Sequence, residues 1–73
     1  MKFTIELSRE VDGRWIAEIP DVAGCTGCMV YGDTKEEAIR NVKVLALKVL
    51  AEQLEFEEKP TRTDVTDLSF ILA

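Results

Sequence analysis

Apolar and polar side chains alternate along the N-terminal part of the chain, and this pattern constrains the fold more than any other feature. Successive side chains of a β-strand point to opposite faces, so a period of two predicts a strand with one buried and one wet face. Residues 2–10 form such a strand, and Asp12-Gly13 supplies a hairpin turn, because both residues tolerate positive φ. A second strand ends at Pro20, since proline cannot donate to the ladder. The side chains predicted to face the core are Phe3, Ile5, Leu7, Trp15, Ala17 and Ile19.

A change of period marks the start of a helix after a short third strand. Residues 28–31 are β-prone and predict that strand, and Gly32-Asp33 then turns the chain. Thr34 followed by Glu37 predicts a capping box, in which the threonine hydroxyl accepts a hydrogen bond from a backbone N–H of the first helical turn. Apolar residues then recur at helical spacing and predict a helix that lies on the sheet. This stripe consists of Ala38, Ile39, Val42, Leu45, Ala46, Val49 and Leu50.

The same helix carries a second set of apolar residues on the side away from that stripe. We call this set the outer ridge; its members are Val44, Leu47, Ala51 and Leu54. A helix that covers one sheet face needs only one apolar stripe. Two explanations are equally open: the C-terminal tail packs over the outer ridge, or another subunit does. In the second explanation, the outer ridge is the contact of a homo-oligomer.

The segment after the helix is polar and is interrupted by Pro60, so it predicts a loop, and alternation at residues 65–73 predicts a fourth strand. The element order is therefore β-β-β-α-β. Because the helix makes the connection between strands three and four a crossover, strand four can lie parallel to strand one. The predicted fold class is α+β, a small mixed sheet with one long helix packed on one face. Residues 1–73 are expected to form a single domain.

The charge balance argues against direct nucleic-acid binding. The chain has 9 Lys and Arg against 14 Asp and Glu, for a net charge of −5. A nucleic-acid binder needs a basic footprint to displace counterions from phosphates, whereas an acidic protein suits a basic partner. No segment is long and apolar enough to span a membrane, and the N-terminus does not resemble a signal sequence. Two cysteines without an export signal favour a reducing, cytoplasmic location.

The residue types of this chain argue against catalysis. Histidine is absent, so the commonest general base is missing. Glu6 and Glu18 are predicted to approach each other on the wet sheet face, but a metal-dependent nuclease needs several convergent carboxylates. We therefore expect no enzyme activity, no cofactor and no metal site. Glu6, Glu18 and Tyr31 remain candidates for contact with a protein partner.

Cys25 and Cys28 form a lone CxxC sequence. A structural zinc site needs four ligands, so zinc could bind only by joining two chains. A redox pair would sit at the start of a helix, whereas this pair precedes a strand. Free thiols in a loop and at a strand edge are the preferred interpretation.

Taken together, several stretches resemble the HicB-like antitoxin family of bacterial toxin–antitoxin pairs. Their order and spacing carry the resemblance, which extends over nearly the whole chain. They are FTIE (3–6), DGRWIAEIP (12–20), YGDT (31–34), EEA (36–38) and VLALKVLA (44–51), followed by the closing strand.

This resemblance implies a partial ribonuclease H-like fold that lacks the nuclease acids. It also implies a function, which is to bind and cover a small, basic, HicA-like toxin that cleaves RNA. Many family members carry an additional C-terminal DNA-binding segment, which is not expected here, and the loop before Tyr31 is longer than the usual pattern. The alternative is a solitary homo-oligomeric binding module with a ligand other than a toxin.

Overall fold

A computed structural model describes residues 2–20, 28–56 and 67–73 of the chain. The elements are strands β1 (Lys2–Arg9), β2 (Trp15–Ile19) and β3 (Cys28–Gly32), helix α1 (Lys35–Phe56) and strand β4 (Ser69–Leu72). The predicted order β-β-β-α-β and the α+β class are confirmed. Strand β4 covers only part of the predicted span, and residues 65 and 66 lie outside the described residues.

The four strands form one mixed sheet in the order β3-β2-β1-β4. Strand β1 pairs antiparallel with β2 and parallel with β4, and β2 pairs antiparallel with β3. The parallel pairing of β1 with β4 confirms the predicted crossover, because a connection that contains a helix can return the chain in the same direction. The Ala73 N–H extends this pairing by donating to the Ile5 carbonyl at 2.9 Å.

The turn between β1 and β2 lies where the sequence places it, but its loop is longer than a two-residue turn. The Glu10 N–H donates to the Arg14 carbonyl at 2.8 Å, and the Gly13 N–H donates to the Glu10 carbonyl at 3.0 Å. Gly13 has a φ of 94°, a conformation that side chains rarely adopt. A three-residue loop that ends in a left-handed glycine suits the right-handed twist of the flanking strands. Its length determines which residues of β1 and β2 face each other.

Helix α1 begins as the capping box predicts. The Thr34 hydroxyl accepts a hydrogen bond from the Glu37 N–H at 3.1 Å, and the Thr34 carbonyl accepts one from the Ala38 N–H at 3.0 Å. The Asn41 side-chain amide donates to the Tyr31 carbonyl at 3.1 Å, which ties the first turns of the helix to β3. The bond to the Thr34 hydroxyl satisfies the Glu37 N–H, one of the donors that a helix N-terminus otherwise leaves without an intrahelical partner, and the bond to the Thr34 carbonyl is the first regular bond of the helix.

The core lies between the helix and one sheet face. Its buried members in the described residues are Phe3, Ile5, Ala17, Ile19, Cys28, Ala38, Val42, Ala46 and Leu50. The helical stripe is confirmed, since four of its residues are buried and the other three are half-buried. Trp15 faces the helix as predicted but is only half-buried, because it lies at the end of the sheet with the Arg9 guanidinium 5.4 Å from its ring centroid.

At Gly32 the backbone of β3 lies in close contact with the first turn of α1. A Cβ at this position would lie 2.8 Å from the Cα of Ala38 and would also meet the Ala38 backbone nitrogen. Any side chain here would push the first turn of α1 away from β3, because these atoms are backbone and cannot rotate away. Gly32 therefore allows the helix to start directly against the sheet.

Candidate functional site

The sheet face opposite the helix carries the two carboxylates predicted from the sequence. Glu6 on β1 and Glu18 on β2 are direct cross-strand partners. Directly opposite side chains on one face have Cβ atoms about 4.5–5.5 Å apart. Glu6 is exposed and Glu18 is half-buried. The structure thus brings together two of the three residues that the sequence singled out as partner contacts.

Exposed apolar side chains flank this pair of carboxylates. Met29 on β3 lies opposite Glu18, and Tyr31 lies opposite Ile16 on the same face. Met29 is 49% exposed and Tyr31 is 43% exposed. At the other edge of the sheet, Ile71 is also exposed. We call the surface formed by Glu6, Glu18, Met29 and Tyr31 the acidic face.

Arg14 completes the β3 side of this surface, although the sequence analysis did not single it out. Its guanidinium lies 4.5 Å from the centroid of the Tyr31 ring, a cation–π contact. The Arg14 Nε donates to Asp12 Oδ2 at 2.8 Å, and the Arg14 backbone N–H donates to Asp12 Oδ1 at 3.1 Å. Arg14 therefore connects the hairpin loop between β1 and β2 to β3, an edge strand of the sheet. The sequence does contain a signal for this contact, namely the spacing of Asp12 and Arg14. An aspartate in a turn commonly accepts a hydrogen bond from the backbone N–H two residues further along the chain.

These contacts lower the pKa of the Asp12 carboxyl below its usual value of 3.8. The largest cause is the hydrogen bond from the Arg14 backbone N–H, and the side-chain hydrogen bond and positive charge of Arg14 act in the same direction. Each of these favours the ionised carboxylate. Asp12 therefore stays ionised, and keeps its bonds to Arg14, at a lower pH than a free aspartate would.

A metal centre finds no support in the residues that the structure describes. In the ranges 2–20, 28–56 and 67–73, no group of three or more His, Cys, Asp or Glu side chains is placed to hold an ion. Cys28 lies on β3, an edge strand of the sheet, and its side chain is fully buried on the face toward the helix. Cys25 lies outside the described residues, so the structure does not define the distance between the two thiols of the CxxC sequence.

No helix of the described segments is long and apolar enough to cross a membrane.

The outer ridge forms a second exposed surface, on the side of α1 that faces away from the sheet. Val44, Leu47 and Leu54 are 44%, 45% and 42% exposed. Ala51 is exposed as well. Of the tail that could cover the outer ridge, β4 pairs with β1 in the sheet instead, and residues 57–66 lie outside the described segments.

Comparison with curated proteins shows a relative that is similar over nearly the whole chain. UPF0150 protein Ta0767 of Thermoplasma acidophilum is 30% identical over 70 residues, which is 94% of this chain and 96% of that protein. The alignment therefore includes both candidate surfaces. A scan against protein-family models gave no match, and no solved structure was found to match the chain.

Proposed function

The chain belongs to the UPF0150 family, and we propose that it is a HicB-like antitoxin module that neutralises a small, basic, RNA-cleaving toxin. Neutralisation requires no chemistry in this proposal. The module binds the toxin, covers the surface through which the toxin contacts RNA, and so excludes the substrate. The resemblance of the sequence to HicB-like antitoxins supports this proposal, and so does the arrangement of the acidic face.

The observation that carries the proposal is the direct pairing of Glu6 with Glu18. Like charges placed opposite each other on one sheet face destabilise the strand pair, so the arrangement brings no benefit to the isolated domain. A lysine or arginine from a partner could form hydrogen bonds to both carboxylates at once and would offset their mutual repulsion. Charge-assisted hydrogen bonds to such a cation are shorter and stronger than neutral ones.

The surroundings of the carboxylates suit a protein partner. Exposed Met29 and Tyr31 lie beside them, and methionine and tyrosine are enriched at protein interfaces. The contacts of Arg14 with Asp12 and Tyr31 limit the motion of the loop and the ring before binding. Such preorganisation increases affinity, because less freedom is lost on association.

The net charge of −5 favours the same class of partner. A protein that binds RNA exposes Lys and Arg side chains. The electrostatic field of an acidic module attracts such a basic surface over several ångströms. The proposed complex should therefore form quickly at low salt, and its association should slow as salt is added.

The test is co-expression of this chain with the product of the adjacent small gene. We expect a basic protein that co-purifies with the chain and whose RNA cleavage stops when the chain is added. In the Glu6→Gln, Glu18→Gln variant, the affinity for that protein should fall by about tenfold or more, because two charged contacts are lost. The matched control is Glu36→Gln with Glu52→Gln, which changes the net charge equally but on the exposed helix surface.

Three outcomes would count against the proposal. The neighbouring protein could be acidic, it could fail to co-purify, or the control variant could lose as much affinity as the Glu6 and Glu18 variant. In those cases the alternative of a homo-oligomeric module with a ligand other than a toxin takes precedence. The exposed outer ridge is the observation that favours this alternative.

A further inference from the structure

We propose that Arg14 determines partner specificity by binding an aspartate or glutamate side chain of the basic partner protein. Arg14 would make this contact in the complex proposed above, so the inference rests on the proposed function. It adds a second chemical group that the partner must present. A basic side chain would lie opposite Glu6 and Glu18, and an acidic one would lie opposite Arg14.

The position of Arg14 places a cation next to the acidic face. Its guanidinium lies 4.5 Å from the centroid of the Tyr31 ring. Tyr31 is two residues along β3 from Met29, which is the cross-strand partner of Glu18. With about 3.4 Å per residue and about 4.8 Å between strands, the backbone positions of Tyr31 and Glu18 are about 8 Å apart. One partner surface can therefore contact the cation and the carboxylates together.

The Arg14 side chain is held in place and is still exposed. Its Nε donates to Asp12 Oδ2 at 2.8 Å, and its guanidinium rests against the Tyr31 ring. Even so, 49% of the side chain is exposed. A side chain that is fixed before binding loses little conformational freedom on association, so its contacts with a partner contribute more to affinity.

The Arg14 guanidinium retains hydrogen-bond donors for a partner group. It carries N–H donors on Nε and on both Nη nitrogens. Among the described residues, its hydrogen bond to Asp12 uses Nε. The two Nη nitrogens form a planar fork that can bind both oxygens of a carboxylate at once. The acceptor that suits this position on a protein partner is therefore an aspartate or glutamate side chain.

The net charge of the chain predicts the opposite effect of Arg14 on binding. Because the net charge is −5, removal of an exposed cation should increase the attraction to a basic partner and speed association. A direct contact predicts faster dissociation instead, since loss of Arg14 leaves the partner's carboxylate without its cation in the complex. The two effects act on different rate constants and can be measured separately.

Binding kinetics with the purified product of the adjacent small gene test the proposal. Arg14→Met removes the charge but keeps an unbranched side chain that can pack on Tyr31. We expect it to raise the dissociation rate about tenfold without slowing association. The matched control is Arg40→Met, the same change at an exposed position of α1, which should leave the dissociation rate unchanged. Circular dichroism should show a folded protein for both variants.

Two further variants separate a contact with the partner from a structural role in the hairpin. Asp12→Asn weakens the anchor of Arg14 but keeps its charge, so it should raise the dissociation rate less than Arg14→Met does. Arg14→Glu should lose affinity as well. Reversal of one aspartate or glutamate of the partner protein to lysine should then restore binding to Arg14→Glu, because the ion pair re-forms with its signs exchanged. A structural role of Arg14 predicts no such rescue.

Any one of three results overturns the proposal. Arg14→Met could dissociate no faster than Arg40→Met, Asp12→Asn could have an equal effect, or a scan of all acidic residues of the partner could yield no rescue of Arg14→Glu. If the partner still binds and its RNA cleavage still stops, the proposed function stands and only the role of Arg14 is wrong. If the neighbouring protein does not bind the wild-type chain, both are wrong.

Discussion

Replacement of Gly32 by alanine gives the most direct test of how helix and sheet are joined. The added Cβ would lie 2.8 Å from the Cα of Ala38 and would also overlap its backbone nitrogen. Real Cβ atoms do not approach other atoms so closely, so the first turn of α1 must move away from β3. This movement would strain the hydrogen bonds at Thr34 and Asn41 that hold the start of the helix.

The expected loss in the free energy of unfolding is about 2–3 kcal/mol, the upper part of the range for overpacked sites, because the obstacle is backbone. In a domain of this size, each kcal/mol lowers Tm by about 4–8 °C, so the midpoint should fall by roughly 10–20 °C. Thermal and urea unfolding, followed by circular dichroism at one fixed protein concentration, would measure the change. Fixed concentration is needed because association shifts the apparent stability.

Two further variants test whether the clash with the Ala38 backbone causes the destabilisation by Gly32→Ala. In Gly13→Ala, the new Cβ would have no atom within 4 Å, and the only unfavourable factor is the positive φ of 94°. The loss in the free energy of unfolding should therefore be smaller, about 1–2 kcal/mol. Ala38→Gly removes the side-chain atom near Gly32 but leaves the backbone in place, so it should not rescue Gly32→Ala. A Gly32→Ala protein within about 0.5 kcal/mol of wild type, or a rescued double variant, would refute the reasoning.

The remaining predictions concern the helix cap and the hairpin loop. Thr34→Ala should lower the free energy of unfolding by about 1 kcal/mol, because the Glu37 N–H loses its side-chain acceptor. Thr34→Ser keeps a hydroxyl acceptor and should retain most of that stability. Equal losses for the two variants in urea unfolding would contradict the role of the Thr34 hydroxyl. Since folding lowers the pKa of Asp12, its contribution to stability is fully present above pH 3.8 and is lost as the pH falls through the folded-state pKa. In Asp12→Asn, urea unfolding should lose this part of the pH dependence below about pH 4, and an unchanged acid slope would argue against it.

The two exposed surfaces of the described residues point away from each other. The acidic face lies on the side of the sheet opposite α1, and the outer ridge lies on the side of α1 opposite the sheet.

The secondary structure and the element order followed from the sequence because local signals agreed with one another. Alternation predicted β1 and β2, the capping box predicted the start of α1, and the apolar stripe predicted which helix face is buried. These signals depend on periodicity and on hydrogen bonds between near neighbours, so they need no knowledge of the rest of the chain. The parallel placement of β4 followed in turn, since a crossover that contains a helix permits it.

That Glu6 and Glu18 share one face of the sheet also follows from the amino-acid sequence, because side-chain direction alternates along each strand. Their direct opposition depends on the folded hairpin, since the three-residue loop sets the register between β1 and β2. The tertiary structure likewise placed Arg14 on Tyr31, left Trp15 half-exposed at the sheet end, and required glycine at position 32. These features depend on distances between elements that are remote in sequence, and no local pattern encodes such distances.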